Sequence, residues 1–277
     1  MKIERYIKLS EQKFIPSLEL FFRSVYDDKK YPSHGIDHHR RVWNYAREIL
    51  QTIHQDEIND PQLFIDKLLI ACYLHDSGMA VEPGEKHGFE SRKVCEVFLS
   101  NNNLKNSDYK DVLNAIENHD KKEYQITETD DKLLLILSVA DDLDAFGYIG
   151  IYRYIEIYLV RGIKAELLAE VIRNNARKRF ENFENKFRAF PELVNKHKAR
   201  FKLIDDFFNK EIYQKNKPDP YSQLHSVYYS IIDRISINLK SEGTIFSFLS
   251  NDGNGLNDPL LPEFIENLNR ELDFSNV

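Results

Sequence analysis

The chain has 277 residues, of which 42% are hydrophobic and 30% are charged, and its formal net charge is −7 at pH 7. These values are typical of a soluble globular protein, and the length suits one large domain or one domain with an extension. The negative charge makes a nucleic-acid polymer an unlikely partner, because a phosphate backbone would be repelled.

The N-terminus and the cysteines predict where the protein is found. Met1–Arg5 lacks the apolar stretch of a signal peptide, and the sequence contains no segment with the length and apolarity of a membrane span. Cys72 and Cys95 both fall in apolar helical patterns, as small buried hydrophobic residues that suit a reducing compartment. We therefore expect a cytoplasmic protein that has no membrane partner.

The hydrophobic pattern predicts an all-α chain. Only ten glycines and nine prolines are present, and long segments repeat apolar residues with the period of a helix. A short helix is predicted near residue 277. The other predicted helices cover about residues 15–26, 38–53, 61–76, 87–99, 107–118, 133–146, 149–160, 163–190, 193–215 and 221–239. The clearest break in composition is Lys217–Pro220.

The most informative stretch is Leu68–Gly78. Apolar residues run from Leu68 to Leu74, directly before His75, Asp76 and a glycine. A helix that is apolar on every side belongs inside a bundle, so its last turn delivers two polar side chains beside a dry core. An unpaired carboxylate is costly there, and a metal ion would remove that cost. The alternative is an ordinary helix C-terminus, where histidine and a left-handed glycine are both favoured.

Five predicted helices each place a histidine or an aspartate at an inward position near one end. These residues are His38, the pair His75–Asp76, His87, His119 and Asp141, whereas His39 is rotated away from the buried stripe of its helix. A single inward histidine is usually a hydrogen-bonded core residue. Several of them on separate helices would each need a buried partner, and one shared metal centre would satisfy them together.

Several motifs resemble the HD-domain superfamily of metal-dependent phosphohydrolases. They are His38 followed by Arg41-Val42, His75-Asp76, and Val139–Gly147. Ser33–His38 and Gly147–Ile151 are similar to a bacterial branch of small HD phosphohydrolases. The resemblance covers about residues 29–155 and continues loosely to about 211. It implies an all-α HD-domain helical bundle over residues 1–211. Residues 212–277 match nothing in the family, and we expect a C-terminal helical extension there, which could form a lid or the interface of a homo-oligomer.

The resemblance also implies a ligand set. The four metal ligands of the family fall on His38, His75, Asp76 and Asp141. Asp76 would bridge if two ions are bound. His87 and His119 lie where binuclear members place further ligands and where mononuclear members contact phosphate. The cofactor is then one or two divalent ions (Fe, Mn, Zn, Ni, Co or Mg), because the ligands are nitrogen and oxygen without thiolate.

The implied activity is hydrolysis of a phosphate ester, in a nucleotide or another small phosphorylated metabolite, by metal-activated water. The catalytic candidates are Asp76, Asp142, Arg41 and His119, and the candidate substrate contacts are Arg41, His34 and Lys121. Asp142 and Asp144 could orient ligands or act as general base. Arg41 could reach the phosphate or lie exposed on the flank of its helix. The tyrosines of segment 148–158 could stack on a base or belong to the core.

The sequence departs from the family pattern at three points. Met79 stands where a lysine often follows the His-Asp-x-Gly turn, and Val139 stands where the bacterial branch often has an acidic residue. The pair His119-Asp120 lacks the second histidine of members that cleave cyclic dinucleotides, which disfavours that class of substrate.

Two other functions fit the same residues. Di-iron oxygenases on this scaffold use four histidines and two aspartates, a count that the six candidate ligands supply. The second alternative is a non-catalytic sensor module that binds a nucleotide without turnover, and the intact ligand set counts against it.

Overall fold

The computed structural model describes residues 2–26, 31–53, 58–121, 131–216, 223–241, 243–250 and 261–275. Over these residues the chain forms twelve α-helices, three short 3-10 helices and no strand, which confirms the predicted all-α class. The α-helices are α1 Lys2–Val25, α2 Ile36–Leu50, α3 Pro61–Leu74, α4 His87–Asn101, α5 Lys110–Asn118, α6 Lys132–Asp144, α7 Gly147–Val160, α8 Ala165–Phe187, α9 Pro191–Asn216, α10 Gln223–Lys240, α11 Ile245–Ser250 and α12 Leu261–Ser275.

Backbone contacts divide the chain into two compact units. The first comprises Met1–Asp27 and His34–Leu143, and the second comprises Asp28–Ser33 and Asp144–Val277. Helix α9 runs without interruption through residue 211, and the domain limits 1–211 and 212–277 stay a prediction. Among the helices that the structure describes, none has both the length and the apolarity needed to cross a bilayer.

Helix α3 lies at the centre of the first unit. Every side chain from Leu68 to Leu74 is at most 2% exposed. The helix begins where the Asp60 carboxylate accepts a hydrogen bond from the Leu63 amide at 3.1 Å and Pro61 occupies the first turn. Helices α1, α2, α4 and α5 pack around it. Each buried leucine or isoleucine contributes about 1.5–3 kcal/mol, so the apolar run fixes this helix in the core.

Helix α1 is longer than the predicted segment 15–26. It begins at Lys2, and a stripe of buried residues at helical spacing explains the extension: Ile3, Ile7, Ser10, Phe14, Leu18 and Phe22. The helix continues through Pro16 because this stripe packs along α3. The Ser10 hydroxyl donates to the buried carboxylate of Asp66 in α3 at 2.6 Å, and Lys13 donates to the same carboxylate at 2.7 Å.

In the second unit, the C-terminal helix α12 is tied to the start of α7. The Glu271 carboxylate accepts hydrogen bonds from the amides of Tyr148 at 2.6 Å and Ile149 at 3.1 Å. Arg200 of α9 donates to the same carboxylate at 2.8 Å and to the Phe146 carbonyl at 2.9 Å. A carboxylate at a helix N-terminus satisfies amides that have no partner within the helix, so residues beyond 211 stabilise a helix that begins at residue 147.

Candidate metal centre

The end of α3 is shaped by a close approach of α4. The helix ends at Leu74, and the chain then enters a 3-10 turn over Ser77–Ala80. Gly78 is not in the left-handed region, so it is not the left-handed cap that an ordinary helix end would have. A Cβ at Gly78 would instead collide with the His87 carbonyl oxygen and the Ser91 amide nitrogen of α4. Glycine at this position therefore allows α4 to bring His87 close to Asp76.

Four buried side chains converge on one point, one from α2, two from the residues that directly follow α3, and one from α6. They are His38, His75, Asp76 and Asp141. The two Nε2 atoms of His38 and His75 lie 3.2 Å apart, and Asp76 Oδ2 lies 3.4 Å and 3.5 Å from them. Asp141 Oδ1 lies 3.7 Å from His38 Nε2 and 3.8 Å from His75 Nε2.

These separations fit a coordination sphere better than a hydrogen-bonded network. Nitrogen–oxygen hydrogen bonds are normally about 2.7–3.2 Å long, and the contacts to both carboxylates exceed that range. Two ligands held about 2.0–2.2 Å from one cation lie about 2.8–3.1 Å apart at right angles and about 3.5–3.8 Å apart at 120°. A single cation could therefore touch all four atoms.

The other oxygen of Asp76 faces a second group. Asp76 Oδ1 lies 3.1 Å from His119 Nε2 and 3.4 Å from His87 Nε2. All three residues are buried, and the ring centroids of His87 and His119 are 5.2 Å apart. Asp76 thus presents one oxygen to each group, which is the arrangement that a bridging carboxylate would have.

Main-chain carbonyls orient three of the imidazoles. The Nδ1–carbonyl distances are 3.0 Å from His75 to Cys72, 2.6 Å from His87 to Gly84, and 2.7 Å from His119 to Ile116. A carbonyl oxygen can only accept, so Nδ1 carries a proton in each ring, and the neutral form of the ring keeps its lone pair on Nε2. Hydrogen bonds of this kind fix ring orientation and tautomer in metal sites. The three Nε2 atoms therefore face the site, where a cation would take the place of a proton on Nε2.

Burial and charge act on these groups in opposite directions. Burial lowers the pKa of His75, because the charged imidazolium is poorly solvated. Burial alone would raise the pKa of Asp76, but the imidazoles of His75, His119 and His38 bring it well below its usual value. Burial likewise opposes the charged form of His119, yet its hydrogen bond to Asp76 raises its pKa to about 9. The site therefore favours positive charge beside the Asp76 carboxylate, which a metal ion would also supply.

His39 is a buried neighbour of the site that the sequence pattern missed. Its Nδ1 donates to the Cys72 carbonyl at 3.1 Å, and its ring lies 5.0 Å from that of His75 and 4.5 Å from that of Phe22. The pattern assigned a single buried face to α2, whereas the helix packs against both α1 and α3. One signal in the sequence could have revealed that His39 is buried. The apolar stripe of α1 needs other helices to pack against, and α2 is one of them.

The remaining candidates differ in their surroundings. Arg41 is buried, not exposed on its helix flank, and Asp142 is also buried. His34 is buried, with its ring centroid 5.4 Å from that of His38. Lys121 is exposed and donates to the Asn118 side-chain oxygen at 2.7 Å.

The remaining candidates, Asp144 and the tyrosines of segment 148–158, belong to the second unit. Asp144, a candidate for orienting ligands, forms a buried ion pair with Arg153 at 2.7 Å. Tyr152, Tyr154 and Tyr158 are buried, which places these three tyrosines in the core.

One of three comparisons with known proteins supports membership of the HD-domain superfamily. A family model described as the HD domain matches residues 35–145, a segment that contains all six candidate ligands. The match ends close to the limit of the first unit at Leu143. A search of curated proteins and a search of solved structures gave no match.

Proposed function

We propose that this protein is a metal-dependent phosphohydrolase that cleaves a phosphate ester of a nucleotide or another small phosphorylated metabolite. The observation that carries the proposal is the convergence of His38, His75, Asp76 and Asp141, whose ligand atoms all lie within 4.8 Å of one another. The match of the surrounding segment to the HD domain supports it, because members of this family are generally metal-dependent hydrolases.

The donor set suits a divalent cation. Two imidazole nitrogens and two carboxylate oxygens, with no thiolate, fit Mn, Fe, Zn, Ni, Co or Mg and differ from a structural zinc site. A bound ion would lower the pKa of a water molecule and polarise a phosphoryl oxygen. The carbonyl of Cys72 would hold the His75 ring in place during this chemistry.

Other side chains of this unit are proposed to handle protons and phosphate. Asp142 directly follows a candidate ligand and is the proposed general base. Arg41, one turn from His38, would stabilise charge on the phosphoryl oxygens, as cations do in phosphoryl transfer. His34 and Lys121 are the proposed substrate contacts. His119 has two open roles, as a ligand of a second ion or as the proton donor to the leaving oxygen.

The test combines metal analysis with phosphate release from a panel of nucleotides and sugar phosphates in the presence of Mn²⁺. We expect the natural protein to bind metal and release phosphate from at least one substrate. His75→Ala and Asp76→Asn should lose both properties with unchanged helical circular dichroism. The matched control Asp108→Asn changes an exposed carboxylate in the 3-10 turn Asn106–Tyr109, which precedes α5, and should keep both. Full activity of either site variant would exclude this site.

A di-iron oxygenase is the second candidate, and one observation favours it. Asp76 faces two groups that together contain four histidines and two aspartates. Oxygen uptake by the iron-loaded protein, without phosphate release from any substrate, would select this function. Tight nucleotide binding without either reaction would select the sensor module.

A further inference from the structure

The carbonyl oxygen of Cys72 accepts hydrogen bonds from two imidazoles. His75 Nδ1 lies 3.0 Å from this oxygen and His39 Nδ1 lies 3.1 Å from it. Cys72 belongs to the last turn of α3, which ends at Leu74, and the carbonyls of a last turn have no partner within the helix. Because a carbonyl oxygen has two lone pairs, it can accept both bonds at once. One atom of α3 thus holds both a candidate metal ligand and a side chain of α2.

The other ring nitrogen of His39 has an unusual environment. His39 Nε2 is buried and has no hydrogen-bond partner among the residues that the structure describes. The residue is 0% exposed, and its ring centroid lies 4.5 Å from that of Phe22 in α1. Burying a polar nitrogen without a partner costs free energy, whereas a leucine could fill such a position without that cost. Packing alone therefore gives no reason for an imidazole here, and what the imidazole adds is the Nδ1–H donor.

His39 lies directly beside two of the candidate ligands. It follows His38 in α2, and its ring centroid is 5.1 Å from that of His38 and 5.0 Å from that of His75. The Nε2 atoms of these two ligands are 3.2 Å apart. The hydrogen bond from His39 to Cys72 connects α2 to α3 at this level, so it opposes sliding of one helix along the other. Such sliding would change the distance between His38 and His75.

We propose that His39 is a positioning residue of the metal centre, which holds α2 and α3 in register so that His38 and His75 reach the same cation. This assignment rests on the proposed metal-dependent function and deepens it. His39 itself would not bind the ion, because neither group of candidate ligands among the described residues includes it. Residues that orient metal ligands typically change metal affinity about 10- to 100-fold when they are replaced, and we expect an effect in that range.

The experiment compares two replacements of His39 in the full chain. It measures Mn²⁺ affinity by calorimetry and the visible absorption of the Co²⁺-loaded protein, which reports the geometry of the ligands. His39→Leu fills the volume without a donor, so it should bind Mn²⁺ at least about tenfold more weakly and shift the Co²⁺ bands. His39→Asn can donate from near the position of Nδ1 and should recover most of both properties. The control His197→Leu removes a buried imidazole from α9 in the second unit and should match the natural protein in both.

A second measurement needs no metal. Nitrogen–proton correlation spectra of the metal-free protein show which ring nitrogen of each histidine carries a proton. We expect the proton of His39 on Nδ1, because the Cys72 carbonyl accepts from this atom and a proton on Nε2 would be a buried donor without a partner. A His39 ring that carries its proton on Nε2 alone would overturn the proposal, even if His39→Leu failed to fold.

The possible failures are separable from those of the proposed function. A His39→Leu protein with natural Mn²⁺ affinity and an unchanged Co²⁺ spectrum overturns the assignment, while the phosphohydrolase proposal stands. Equal losses in His39→Leu and His39→Asn also overturn it, because the shape of the ring and not its donor would then be responsible. Weaker Mn²⁺ binding in His39→Leu that His39→Asn restores, without phosphate release from any substrate, would support the positioning role and refute the hydrolase.

Discussion

A buried carboxyl group in the second unit should make the stability of this protein depend on pH. The carboxylate of Glu156 in α7 is completely buried and accepts hydrogen bonds from the Ser33 hydroxyl at 2.5 Å and the Ser33 amide at 3.0 Å. Burial raises its pKa from 4.5 to about 7, although the Ser33 bonds, Tyr152 and the charge of Arg153 oppose the rise. The desolvation cost of the charged form is therefore only partly compensated.

The pKa values define the direction and size of the effect. Between pH 4.5 and about 7 the folded protein keeps the proton on Glu156, whereas the unfolded chain has lost it. Stability therefore falls as the pH rises through this window. A shift from 4.5 to about 7 corresponds to a loss of about 3 kcal/mol, which is a large part of the stability of a typical domain.

Glu156→Gln removes the ionisation and keeps an oxygen that can accept from Ser33. Urea unfolding of both proteins at several pH values measures the difference in unfolding free energy. The unfolding free energy of the variant minus that of the natural protein should increase by about 3 kcal/mol from pH 4.5 to pH 8. Glu170→Gln, which changes an exposed residue of α8, should give a difference that does not vary with pH. A constant difference for Glu156→Gln as well would refute the reasoning.

Two further predictions concern backbone conformation and metal binding. Gly147 and Gly162 both have φ of +77°, but only at Gly147 would a Cβ collide with the Glu271 carboxylate. Gly162→Ala should therefore cost about 1 kcal/mol of unfolding free energy, and Gly147→Ala should cost clearly more in the same urea experiment; equal costs would mean that Glu271 moves aside freely. Mn²⁺ at 100 times its Kd should stabilise the natural protein by about 2.7 kcal/mol, seen as a rise in Tm that a chelator reverses. Asp76→Asn should show no such rise, and an equal shift in both proteins would place the ion elsewhere.

The sequence was sufficient for the all-α class and for the chemistry of the candidate ligands, although it missed the first half of α1. The unbroken apolar run of α3 can be buried only inside a bundle, and it ends directly at His75 and Asp76. Helical spacing also assigned His38, His87, His119 and Asp141 to inward positions near helix ends. Both inferences depend on local geometry, because the direction of a side chain around a helix follows from its position in the chain.

The distances between helices had to come from the tertiary structure. The two oxygens of Asp76 face different groups because Gly78 allows α4 to approach. The sequence pattern alone could not tell whether the two groups share this carboxylate or lie apart as independent sites. The burial of His39, its hydrogen bond to the Cys72 carbonyl and the hydrogen bonds between Ser33 and Glu156 are likewise invisible in a periodic pattern. Periodicity fixes which way a side chain points within its own helix, but only the packing of separate helices determines which atoms it meets.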